Sequence, residues 1–250
     1  MRKTRITPEH FGDVYRQFNA SISKYDCGRK CAPLNGGQPV CCTTGHAIPV
    51  VHKSEYQLLK SRTDLWYDYK PNDATSRKIV KELPRNSCAI ECKGAAFCER
   101  DNRTIACRAF PFFPYYNKQG EMLGLSVYWT FEDRCWMIYR LDLAEPAFVK
   151  EMAAAFEKIF AFDPEELENM KSHSASARRV HSRWNRPIPI IGRDDGKLYK
   201  VMPRTHELRP AKPSDFKAQG AYKSEAAYKR AVKEAGGTLG PEPKGGYLAP

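Results

Sequence analysis

The chain has 250 residues, of which 42% are hydrophobic and 28% charged, and a formal net charge of +12. That length allows one large domain or a domain with an appendage and buries enough core to do without disulfides, since domains usually run about 100 to 200 residues. No stretch approaches the roughly 20 apolar residues that a bilayer helix needs. The opening Met1 to Gly12 carries charge without the apolar run of a secretory signal, so the expectation is a cytoplasmic protein with no membrane partner.

In chain order, residues 1–24 form an N-terminal segment. Cys27 to Cys42 is punctuated by glycine and proline and reads as a loop folding back on itself. Ser54 to Leu65 reads as a short helix capped by Ser54, with Tyr56, Leu59 and Leu65 as a partial apolar face. Asp68 to Asn86 is polar and reads as mobile. Leu123, Leu125, Val127, Trp129 and Phe131 recur at every second position, the period of a strand with one buried face. With Asn117 to Gly120 as the turn, Phe110 to Tyr116 and Met122 to Phe131 pair as a hairpin, and Pro111 and Pro114 confine its first arm to a sheet edge.

Pro146 then opens a helix whose Phe148, Met152, Ala155, Phe156, Ile159 and Phe160 fall at intervals of three and four. A second helix starts at Asp163-Pro164-Glu165-Glu166 with Asp163 as cap and Glu166 reaching back, its stripe being Leu167, Met170, Ala177 and Val180. Both stripes read as core packing. Beyond Arg186 the composition turns to proline, glycine and lysine, with a lone helix near 224–235 and a disordered end from Gly237 to Pro250. No internal repeat is present.

All nine cysteines lie between Cys27 and Cys135. In a reducing compartment thiols stay free, so a clustered set points to metal or redox chemistry, and the sequon at Asn102 is discounted. Cys27 with Cys31, and Cys88 with Cys92, have the spacing of paired ligands, and Cys98 follows. Cys41 and Cys42 are adjacent, and in an extended segment their side chains would point to opposite sides. They would then serve different metals or cluster edges, or one would be a small buried hydrophobe. His46 and His52 are further nitrogen donors in the same region. The positive charge favours phosphate-bearing partners. The basic residues are nonetheless dispersed, and the densest group, Ala177 to Arg186, is short, so nucleic acid ranks behind metal ions as a partner.

The order Cys27, Cys31, Cys41-Cys42, then Cys88, Cys98 and Cys107-Arg108-Ala109-Phe110-Pro111-Phe112 resembles the YkgJ-like cysteine-cluster family, described as chelating zinc or iron. The resemblance covers roughly residues 25 to 140. It implies that Cys27, Cys31, Cys41, Cys42, Cys88, Cys98 and Cys107 are ligands. Cys135 sits where a later ligand is plausible, Cys92 is an addition, and the insertion containing Gly36-Gly37 departs from the family spacing. A flagellin lysine-N-methylase has a similar cysteine pattern, which implies S-adenosylmethionine chemistry as an alternative, although no glycine-rich strand-loop-helix signature supports that cofactor.

The expected fold is α+β: an irregular, metal-centred, cysteine-rich domain at 25–142 with a β-hairpin. A helical pair at 143–186 packs on it, and an extended basic tail at 187–250 offers a surface for a protein partner. The expected cofactor is an iron–sulfur cluster or zinc at one or two sites, held by all nine cysteines including Cys92 and Cys135. Arg108 is expected to balance thiolate charge, and Phe110 to Phe113 to wall off the metal. A protein-modifying enzyme using Glu91, Glu99 or Asp101 is the first alternative, and a zinc-dependent nucleic-acid module stacking bases on Tyr115, Tyr116, Tyr128 and Trp129 is the second.

Overall fold

A computed structural model describes residues 6–250; residues 1–5, the charged start of the N-terminal segment, lie outside the described residues. The described helices are α1 (Pro8–Gln17), α2 (Gly28–Cys31), α3 (Lys53–Arg62), α4 (Ala74–Lys81), α5 (Ile105–Ala109), α6 (Pro146–Phe162), α7 (Pro164–Trp184) and α8 (Glu225–Glu234). The strands are β1 (Val50–His52), β2 (Trp66–Asp68), β3 (Ser87–Cys92), β4 (Phe112–Tyr116), β5 (Met122–Val127), β6 (Ile188–Gly192), β7 (Leu198–Val201) and β8 (Leu208–Pro210). Helix and sheet are mixed, as the α+β expectation requires.

Two compact units divide the chain differently from the expected 25–142, 143–186 and 187–250. The first takes the chain up to Asn19 together with Cys41–Phe110; the second takes Ala20–Val40 and Pro111–Pro250. The expected boundaries followed contiguous cysteine-rich sequence, whereas each unit is assembled from separated segments.

In the first unit a small antiparallel sheet has the order β1-β3-β2. Phe11, Val14, Tyr15 and Phe18 from α1 and its end are buried, as are Leu59, Leu65, Trp66 and Ile90. Helix α3 is capped not by Ser54 but by His52, whose Nδ1 accepts from the Ser54 amide at 3.0 Å. The stretch read as mobile contains α4, which Asp73 caps by accepting from the Ser76 amide at 2.7 Å.

The second unit is built on a five-stranded antiparallel meander, β4-β5-β6-β7-β8. The predicted hairpin is present, with Phe112 opposite Val127 and Pro114 opposite Leu125. Proline-bearing β4 is an edge strand, where a missing amide donor breaks no ladder. β5 ends at Val127, and Trp129 to Phe131 leave the strand as a 3₁₀ turn. Gly124 is required where β5 meets β6: a Cβ there would lie 2.0 Å from the Ile191 carbonyl oxygen.

Helix α6 begins at Pro146 and buries all six residues of its predicted stripe. Asp163 caps α7 by accepting from the Glu166 amide at 3.3 Å, while the Glu166 carboxylate takes Asn169 instead of reaching back. α7 ties to β4 through Ser174, whose hydroxyl accepts from the Tyr116 amide at 3.0 Å. Residues 187–250 are not an extended tail. β6 and β7 add Ile188, Ile190 and Val201 to a core with Phe113, Tyr115 and Ala177, and α8 buries Tyr228 and Val232 beside Trp136 and Tyr222.

Candidate metal centre

In the first unit, β3 carries both Cys88 and Cys92, opposite Val51 and Trp66 respectively. Four residues apart on a helix would make them neighbours; on a strand, at about 3.3 Å per residue, they stand roughly 13 Å apart. They therefore cannot ligate one ion as a pair. Cys88 lies among Asp68, Lys53 and Glu55, and burial raises its thiol pKa. Cys92 faces a different environment, shared with Cys42 and Cys98, and burial again raises its thiol.

Cys41 and Cys42 sit in a 3₁₀ turn, Val40–Cys42, instead of an extended segment. The turn brings their sulfurs to 4.0 Å, so the expected opposition of the two side chains does not occur. The hydrogen bond from Cys41 lowers the Cys42 thiol to about 7, against the opposing effect of burial and with help from Arg103. Cys107 lies on α5, where Thr104 caps the helix by accepting from the Cys107 amide at 3.0 Å. Burial pushes its thiol up to about 12, and the nearby Cys42 and Cys92 thiols add to the rise. Cys98 is exposed and accepts a hydrogen bond from Arg103 Nε at 3.0 Å.

Arg103 thus takes the place expected of Arg108: it lies within electrostatic reach of Cys98, Cys42 and Cys107. The Arg108 guanidinium instead donates to the Phe18, Asp101 and Arg103 carbonyls and lies 4.5 Å over the Tyr15 ring. Its fork is filled by backbone oxygens and an aromatic face. Arg103 and the capping Thr104 went unremarked in the sequence except within the discounted sequon, although a threonine directly before an apolar helical turn is a cap signal.

Cys27, Cys31 and Cys135 belong to the second unit. The nine cysteines therefore separate into a five-membered group (Cys41, Cys42, Cys92, Cys98, Cys107), a three-membered group, and Cys88. Among the described residues no group of three or more His, Cys, Asp or Glu side chains is placed so that it could hold a metal ion. The thiol chemistry of the five-membered group suits soft metals, but its sulfurs do not converge on one centre as placed. Phe112 and Phe113 were expected to wall off the metal. They belong to the second unit's core, where Phe112 packs on Phe148 and Phe113 on Tyr128 and His173.

No protein-family model, curated protein or solved structure matches the chain. Among the described residues no helix is long and apolar enough to cross a membrane. Of the proposed acid–base residues, Glu91 accepts from Thr44 at 3.3 Å and Glu99 from Asn102 at 2.6 Å. His52 serves as a helix cap and stacks on Phe11, and His46 is exposed in its loop. Of the aromatics expected to stack on bases, Tyr115 and Tyr116 are buried.

Proposed function

We propose that the first unit binds a thiophilic metal, as an iron–sulfur cluster or zinc, through Cys41, Cys42, Cys92, Cys98 and Cys107, in a cytoplasmic, reducing setting. The observation that carries this reading is the gathering of five thiols from three separate stretches, with Arg103 within electrostatic reach of Cys42, Cys98 and Cys107. Thiolate ligands select zinc, copper(I) and iron–sulfur clusters over hard cations such as magnesium. Bound there, such a group would supply structural cross-linking or electron-transfer chemistry; Arg103 offsets the negative charge that collected thiolates bring. Cys92 stands in this set and Cys88 outside it, a change from the set implied by the family resemblance.

Anaerobic purification with elemental analysis and a visible absorption spectrum tests the reading. Wild type should carry iron with sulfide, or zinc. Cys92→Ser should lose that metal and Cys88→Ser keep it. A wild type that stays metal-free after anaerobic reconstitution with iron and sulfide or with zinc sinks the proposal, and so does a Cys88→Ser variant that loses as much metal as Cys92→Ser.

The two arginines separate in the same assay. Arg103→Ala should weaken metal binding about 10- to 100-fold, the usual cost of removing a group that supports ligands. Arg108→Ala should leave metal affinity unchanged while lowering the unit's stability by about 1 to 3 kcal/mol, because the carbonyl of buried Phe18 loses a charged donor, whereas those of exposed Asp101 and Arg103 can turn to water. Equal effects of both variants on metal affinity would remove Arg103 from its role.

A further inference from the structure

We propose that Lys118, Arg178 and His206 form an anion site in the second unit that takes the dianionic group of a small phosphate monoester. Two hydrogen bonds from α7 bring the three residues together. The Arg178 guanidinium donates through Nη1 to the Tyr116 carbonyl, where β4 runs into the turn that carries Lys118. One helical turn further on, the Ser182 hydroxyl donates to the Pro203 carbonyl, in the turn between β7 and β8 that carries His206. Residues four apart on a helix share a face, so both turns are drawn to the same side of α7. His206 accordingly lies within electrostatic reach of both Lys118 and Arg178.

Each group is held with hydrogen-bonding capacity left over. Arg178 Nη1 is occupied by Tyr116 and, at 3.5 Å, by the Tyr115 hydroxyl, and the guanidinium lies 5.7 Å over the Tyr115 ring. That fixes the fork and leaves Nε and Nη2 for a ligand. Lys118 is exposed on a turn that the Asn117 side chain closes by accepting from the Glu121 amide at 2.9 Å. His206 stands in the β7–β8 turn with φ 61°, the left-handed region that side chains rarely adopt. Its amide pins the turn by donating to the Met202 carbonyl at 3.0 Å. Its Nδ1 is buried and has no hydrogen-bond partner. The residue as a whole is half-buried, so rotation of the ring brings that nitrogen out to a ligand. A rare backbone conformation that presents an imidazole with an unspent nitrogen points to a binding role.

Charge selects the ligand. The acids nearest in sequence are engaged elsewhere: Glu207 pairs with Arg209 at 2.7 Å, and Glu121 accepts from Asn117 at 2.7 Å. From Arg178 to Arg209 the chain has nine Arg or Lys residues against three Asp or Glu, so the surrounding field is positive as well. A phosphate monoester brings close to two negative charges and three acceptor oxygens, one for each donor group. The guanidinium fork matches phosphate geometry. A phosphodiester carries a single charge, and its polymers require a basic track instead of one point. Burial, and then the charges of Lys118 and Arg178, hold the His206 pKa below its ordinary value. A bound dianion offsets both cations and draws a proton onto the ring.

NMR of the His206 ring in the full, reduced chain tests the site. Ethyl phosphate should shift the ring signals saturably and raise the His206 pKa, and dimethyl phosphate at the same ionic strength should do neither. Lys118→Gln and Arg178→Gln should each weaken ethyl phosphate binding by about 10-fold or more, the value of one charge-assisted hydrogen bond. Lys118 is exposed on its turn, so its variant decides the question even if loss of Arg178 prevents folding. His206→Asn, which suits the left-handed backbone, should keep the fold and also bind more weakly. The inference is overturned if dimethyl phosphate or sodium chloride produces the same shift, or if either folded glutamine variant binds ethyl phosphate as tightly as wild type. A short DNA duplex that shifts the His206 ring at lower concentration than ethyl phosphate also overturns it, since the surface then serves a phosphodiester polymer.

Discussion

Glu55→Ala should destabilise the first unit by about 3 to 5 kcal/mol, the range for removing one partner from a buried, charged hydrogen-bond network. Glu55 is 4% exposed. Its Oε1 accepts from the Tyr15 hydroxyl and from the Ile105 amide, both at 2.8 Å, so one carboxyl group joins α1, α3 and α5. The guanidinium groups of Arg62 and Arg108 lie 5.3 and 4.5 Å over the Tyr15 ring and bring positive charge to the same place. Burial, and then the Glu55 charge, hold the Tyr15 hydroxyl well above its usual pKa, so it stays protonated and donates.

Alanine at position 55 leaves a buried phenol and the first amide of α5 unpaired. Because α5 carries Cys107, the loss reaches the thiol group as well as the fold. Urea denaturation gives the stability, and hydrogen exchange at the Ile105 amide should accelerate in step with it. Glu55→Gln, which keeps an accepting oxygen, should recover part of the loss. A loss below about 1 kcal/mol would place Glu55 with ordinary surface acids.

What could be read in advance was what depends on local period and local capping. The stripe from Phe148 to Phe160, the proline at the start of α6 and the cap Asp163 are all decided within a few residues, and the structure has them. The hairpin was legible for the same reason. The thiol grouping was not, because ligand spacing has no fixed meaning until the secondary structure is known. The interval between Cys27 and Cys31 spans one helical turn, while the identical interval between Cys88 and Cys92 spans most of a strand.

Arg103 and Arg108 are also alike in sequence, and only tertiary neighbours distinguish them. The chain beyond Arg186 misled through composition. Ile188, Ile190 and Val201 are too few to announce a sheet, yet they complete one because β5 already offers an unpaired edge. Tyr247 and Leu248 gain order from Lys30, Trp136 and Glu225, partners that no local window contains.

The second unit should lose stability as pH falls from about 6.5 to about 4, and His181 should account for about 3 kcal/mol of that loss. His181 is 3% exposed near the end of α7. Burial, reinforced by the Arg186 charge, lowers its pKa to about 4. Its Nδ1 lies 3.1 Å from the Pro187 carbonyl, a contact that a neutral ring protonated at Nδ1 satisfies. The Trp184 ring, 5.7 Å away, covers it further.

The sign follows from which state binds the proton. Below its ordinary pKa of about 6.5 the unfolded histidine is protonated, while the folded one stays neutral down to about 4, so the proton favours the unfolded chain throughout that window. The stabilising neutrality is complete above pH 6.5 and is lost progressively on acidification; below about 4 both states are protonated and the loss levels off. Carboxylates titrate in the same range, so the quantity to measure is the difference between wild type and His181→Asn, whose amide can still donate to the Pro187 carbonyl. Urea denaturation at pH 7, 6, 5 and 4 should show wild type losing stability faster than the variant, with the gap growing to about 3 kcal/mol at pH 4. Parallel curves would mean that His181 titrates as a solvated histidine and that the end of α7 is open to water.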